Sequence, residues 1–129
     1  MAFTPPYIIP VWREGVLNAS QVLLKTTFRV AVRFDAATWI SAVAGLVFDA
    51  ERLFVFYKST DGGLTWTAFA TITFPSGGDA PFYGTVALAG DWTTFSFDEG
   101  DAMKIVAPTT ADEAGGDIDI VLLATRLGI

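Results

Sequence analysis

Apolar and polar residues alternate with a period of two along much of this chain. The clearest run sets Val22, Leu24, Phe28, Val30, Val32 and Phe34, with Thr26 among them, against Lys25, Thr27, Arg29, Arg33 and Asp35. A two-residue period puts one set on each face of a strand, so the run predicts one long half-buried strand, or two joined by a bend. The closing segment from Asp117 to Arg126 repeats the pattern, with Ile118, Ile120, Leu122 and Ala124 on one face and Asp119, Val121 and Leu123 on the other. Met103, Ile105 and Ala107 alternate with Lys104 and Val106 until Pro108 stops the strand. Trp92 to Phe97 and Thr85 to Leu88 read as further strands. Thr38 to Phe48 reads as a strand with a bulge or kink, because Gly45 weakens a helix there.

Turn formers separate these runs: Asp49 to Arg52, Pro75 to Pro81, Gly90-Asp91, Asp98 to Asp101 and Thr109 to Gly116. The sum is about eight short strands and no long helix. It predicts an all-β fold, an antiparallel β-sandwich of the jelly-roll kind, with an immunoglobulin-like sandwich as the alternative.

The centre of the pattern is a hairpin over residues 53–74. Its turn is Ser59-Thr60-Asp61-Gly62-Gly63-Leu64-Thr65-Trp66, where Asp-Gly-Gly supplies positive φ without steric cost. The spacing Ser59-x-Asp61-x-Gly63-x-Thr65-Trp66 resembles the aspartate box of sialidase-type propellers and many other β proteins. The resemblance implies that the Asp side chain ties down the turn and that the Trp packs beneath it. It covers eight residues, occurs once, and implies a local structure rather than an activity.

Residues 1–12 read as an extended N-terminal arm ahead of a single sandwich domain over 13–129. Pro5, Pro6 and Pro10 forbid a helix, while Phe3, Tyr7, Ile8, Ile9, Val11 and Trp12 want a surface to lie on. That surface is either the arm's own domain, with the arm as an edge strand, or a neighbouring subunit. Glu14 to Ser20 is a short polar link.

Composition narrows the chemistry. A chain of 129 residues is one domain by length and can bury a core without staples. It has no Cys and no His, which removes disulfides, thiolate catalysis, the commonest general base and the commonest transition-metal ligand. A net charge of −6 argues against nucleic acid as partner. The charge is uneven: residues 1–58 hold six basic and four acidic groups, residues 59–129 two and ten. Head-to-tail assembly can use such asymmetry, and so can solubility. No run is apolar enough for long enough to predict a membrane span, and the first residues lack a Sec-type pattern, so synthesis and residence in the cytoplasm are expected.

Candidate ligands are few. Asp98, Glu99 and Asp101 form an acidic turn that, with Asp112, Glu113, Asp117 or Asp119, is a weak Ca²⁺ candidate; no cofactor is expected, and no catalytic residue. Tyr83 and Trp92 lie beside loops and are the candidate glycan contacts, while Trp39 and Trp66 are expected in the core. Arg29 and Arg33 are expected to share a charged face, open to solvent or to an adjacent subunit.

The C-terminal third carries a second resemblance. Phe97-Asp98-Glu99-Gly100-Asp101, the apolar strand to Val106, Ala107-Pro108, then Asp112 and a closing strand from Asp117 to Leu123 is similar to the ends of small bacteriophage virion proteins. It implies a structural protein of the head or tail, made in the bacterial host cytoplasm and not an enzyme. The expectation is a capsid cement or decoration subunit, a homotrimer contacting the major capsid protein through Phe3, Pro5, Pro6, Tyr7, Ile9, Trp12, Arg29 and Arg33. The alternative is a tail or fibre module, or a lectin-like domain, that binds host glycans.

Overall fold

The computed structural model of the chain describes residues 6–35, 40–77, 82–88, 94–109 and 115–127. Eleven strands are seen and, among the described residues, no helix: β1 (Pro6–Val16), β2 (Val22–Thr27), β3 (Val32–Asp35), β4 (Ile40–Leu46), β5 (Arg52–Ser59), β6 (Thr67–Phe74), β7 (Phe82–Tyr83), β8 (Thr85–Leu88), β9 (Thr94–Phe97), β10 (Ala102–Val106) and β11 (Gly116–Arg126). They form two antiparallel sheets. In sheet A, the order β7-β4-β11-β3-β9 is completed by β1, which pairs with β11. Sheet B has the order β2-β10-β5-β6-β8. The fold is the expected all-β antiparallel sandwich, with the core between the sheets.

The core is rich in phenylalanine. Phe97 is fully buried, and its ring lies 4.8 Å from that of Phe28, 5.1 Å from Phe95, 5.5 Å from Phe69 and 5.9 Å from Phe34. A second group joins Phe48, Phe54 and Phe74. The first group draws rings from both sheets and ties one layer to the other, while the second packs Phe48, from the connection after β4, on Phe54 and Phe74 of sheet B.

Alternation fixes most faces. On β11, Ile118, Ile120, Leu122 and Ala124 are buried as expected, and β10 buries Met103 and Ile105, with Ala107 following. The run from 22 to 35 is two strands in different sheets, β2 in B and β3 in A, and Phe28 crosses between them. Along β2 the expected parity fails at its start: Leu23 is buried and Val22 exposed. A register shift in the pairing of β10 with β2 at Ile105/Val106 causes this reversal. A similar shift at Phe56/Tyr57 lets consecutive Phe69 and Ala70 both face the core. The expected kink in β4 is replaced by a pairing with β11 that shows no register shift.

Residues 6–12 of the expected arm lie in β1, hydrogen-bonded to β11 of the same chain, and Ile9 and Val11 enter the chain's own core. Phe3 and Pro5 lie outside the described residues. The row of Arg29 and Arg33 is not one row. Arg29 is exposed in the connection after β2, whereas Arg33 is half-buried on β3, because the chain changes sheet between them.

Candidate functional site

The hairpin turn between β5 and β6 is built from its own side chains. The Asp61 carboxylate accepts hydrogen bonds from the backbone N–H groups of Leu64 and Thr65, and from the hydroxyls of Ser59 and Thr65. Ser59 Oγ in turn accepts from the N–H groups of Asp61 and Gly63. Gly62 and Gly63 have φ of 76° and 92°, as the turn demands. These bonds favour the charged carboxylate, above all that from the Thr65 hydroxyl, and lower the Asp61 pKa from 3.8 to about 2. The turn therefore does what the aspartate-box resemblance implies. Trp66 departs from expectation: it touches the underside of the turn 3.5 Å from where a Gly63 Cβ would stand, yet it is half-exposed rather than core.

Beside the hairpin a cleft of about 440 Å³ opens between β5, β6 and β9. Thr60, Thr65, Thr67 and Ser96 line it together with Lys58, Phe69 and Phe95. Phe69 and Phe95 stack in parallel, 4.2 Å apart. The Lys58 ammonium lies 5.1 Å above both Phe95 and Phe97, donates to the Ser96 carbonyl and stands 3.6 Å from the Asp101 carboxylate. Lys58 carried no signal in the sequence, because its partners are on β9 and in the turn before β10, far away in the chain.

The acidic turn 98–101 is a closed structure. Asp101 is nearly buried; its carboxylate accepts from the N–H of Asp98, and the turn is pinned by Gly100 N–H to the Phe28 carbonyl. Asp117 accepts from Gly15 N–H on the neighbouring strand. Among the described residues no three carboxylates converge on a point, so the Ca²⁺ candidates there are not brought together. Asp112 and Glu113 lie outside the described residues.

The outer face of sheet A carries an apolar band interrupted by Asp119. Cross-strand register places Trp12 opposite Asp119, Asp119 opposite Val43, and Val43 opposite Tyr83. One step along, Ile8 stands opposite Leu123 and Pro10 opposite Val121. Trp12 is 60% exposed, Tyr83 67% and Ile8 57%, so this band is presented to the surroundings. Tyr83 lies on this face, in the two-residue strand β7. Tyr7 packs on the core with its ring 5.7 Å from Phe28, and Trp39 and Trp92 lie outside the described residues.

The outer face of sheet B differs in charge. Its strands contain no acidic residue, and Lys25 and Lys104 stand on this face, whereas Lys58 turns into the cleft and Arg52 pairs with Asp49. Lys25 stands directly opposite Lys104, which stands opposite Tyr57. Both ammonium groups lie over Trp66, Lys104 at 4.6 Å and Lys25 at 5.9 Å, and Lys104 is also 5.2 Å from Tyr57. A groove of about 300 Å³, lined by Leu53, Val55, Tyr57, Val106 and Pro108, runs on from them and ends at Glu51.

No protein-family model matches the chain, and no curated protein or solved structure matches it. No helix among the described residues is long and apolar enough to cross a membrane.

Proposed function

We propose that this chain is a structural subunit of a bacteriophage virion, a capsid cement or decoration protein. It stabilises the particle by burying the outer face of sheet A against neighbouring copies and the major capsid protein. The band of Ile8, Trp12, Val43, Tyr83, Val121 and Leu123 carries the reading. The other face of the same sheet already fills the core, so these side chains add little to the fold of one chain. An apolar band on a sheet face marks an interaction surface, and covering it yields roughly 25 cal/mol per Å².

Edge strand β1 carries Pro6 and Pro10, which lack N–H donors and blunt strand-by-strand addition. The partner is therefore expected to cover the face rather than extend the sheet. Two further points support the reading. The phrase from Phe97 to Leu123 resembles virion proteins. The strand orders β1-β11-β4-β7 and β2-β10-β5-β6 support a jelly roll, an architecture that viral capsid proteins and lectins share. Assembly is as a homo-oligomer, a trimer by the sequence expectation. The test is solution mass by light scattering: the wild type assembles, while the double variant Trp12→Asp/Leu123→Asp is monomeric with unchanged circular dichroism. A wild type that stays monomeric and fails to co-sediment with capsids sinks the proposal.

The cleft favours a second reading, a tail or fibre module that binds host glycans through the hydroxyls of Thr60, Thr65, Thr67 and Ser96. It requires glycan-array hits that are lost in a folded Thr67→Val variant.

A further inference from the structure

Lys25 and Lys104 face each other across β2 and β10, an arrangement of like charges that costs stability in a sheet. Neither has a carboxylate within ion-pair distance among the described residues. Trp66 holds both ammonium groups in place, and the aspartate-box turn holds Trp66. The result is a preformed pair of cations on an acid-free sheet, in a chain of net charge −6.

The same chain carries the complementary group. Asp98 and Glu99 are exposed at the tip of the turn between β9 and β10, and neither side chain has an ion-pair partner among the described residues. The turn is fixed by the Asp101 carboxylate on Asp98 N–H and by the Gly100 bond to Phe28, so the two carboxylates are presented by an ordered backbone. Among the described residues, then, this lysine pair and the two carboxylates of this turn have no ion-pair partner within the chain.

We infer that Lys25 and Lys104 are the docking point for the Asp98-Glu99 turn of a second copy of this chain. The inference rests on the self-assembly reading above and adds to the apolar face a charged contact that selects partner and register. The apolar groove beside the lysines receives the remainder of the turn, and steering by the opposed charges speeds encounter.

The experiment is a charge swap read by sedimentation velocity at low and at about 0.5 M salt, where exposed ion pairs are screened. Lys25→Glu/Lys104→Glu and Asp98→Lys/Glu99→Lys are each expected to weaken self-association by about a hundredfold, since like charges then meet across the contact. Mixing the two variants is expected to restore association, because each then offers the other an opposite charge; the restoration also shows that both variants are folded. If either variant assembles as the wild type does, while Trp12→Asp/Leu123→Asp does not, the charged contact is wrong and the apolar face stands. If the wild type is monomeric throughout, the charged contact falls; if it also fails to co-sediment with capsids, the structural-subunit reading falls with it. If an anionic polysaccharide such as hyaluronate binds wild type but not Lys25→Glu/Lys104→Glu, and mixing restores nothing, the lysines serve a glycan and the inference is overturned.

Discussion

Asp61 concentrates more hydrogen bonds than any other carboxylate described, and its charge is coupled to the fold. Its carboxyl is held at about 2 against 3.8 for a free side chain, so the hairpin gains stability that is fully present above pH 4. That contribution is lost as pH falls through the folded value of about 2. Thermal unfolding followed by circular dichroism between about pH 5 and 1.5 should show a steeper acid loss in wild type than in Asp61→Asn, which has no carboxylate to protonate. Ser59 is buried and satisfies two backbone donors; Ser59→Ala leaves them without their partner and should cost about 1–2 kcal/mol in a urea titration. This turn was legible in the sequence because all of its bonds span four residues or fewer. Trp66, Lys25 and Lys104 were not, because cross-strand register brings them together and single-strand alternation does not encode register.

Strands depend on the places where alternation breaks. Val22 and Leu23 exchange faces at the shift opposite Ile105/Val106, and Phe69 joins Ala70 in the core at the shift opposite Phe56/Tyr57. Runs paired without such shifts, above all the central part of β11, were read correctly residue by residue; shifted ones were not, since an extra residue leaves no compositional mark. Two-residue β7 was missed for a related reason, being too short to show a period. It is joined to β8 by Gly84, where the chain leaves sheet A for sheet B. A Cβ there would lie 2.4 Å from Ile72 Cγ2 and 3.1 Å from the Phe74 ring, both on fully buried side chains. Gly84→Ala is therefore expected to destabilise by about 1–3 kcal/mol, the cost of overpacking a filled core, and a denaturant midpoint measures it.

For the molecule as a whole, the two outer faces ask for company of different kinds, apolar on sheet A and anionic on sheet B. If copies of the chain supply that company, stability depends on mass action. The melting temperature of wild type should then rise over a hundredfold range of protein concentration, while that of Trp12→Asp/Leu123→Asp stays flat, as differential scanning fluorimetry would report. The all-β sandwich class was legible at this scale from the two-residue period. Which strands share a sheet was not, because the chain changes sheet repeatedly and nothing in a strand's own residues names its partner.

Strand β11 sits in the middle of sheet A, with β1 on one edge and β4 and β3 along the other. It is also synthesised after all three of the strands it pairs with, and its bond to Gly15 joins positions 102 residues apart. During translation β1, β3 and β4 thus emerge without the strand that pairs them, and half of the core has no lid. Sheet B can begin to assemble at its β5–β6 hairpin, but sheet A has to wait for residue 126 to leave the ribosome. A nascent chain of this protein exposes Ile9, Val32 and Ala44 until β11 has emerged, which makes it a natural client for chaperones that bind extended apolar segments.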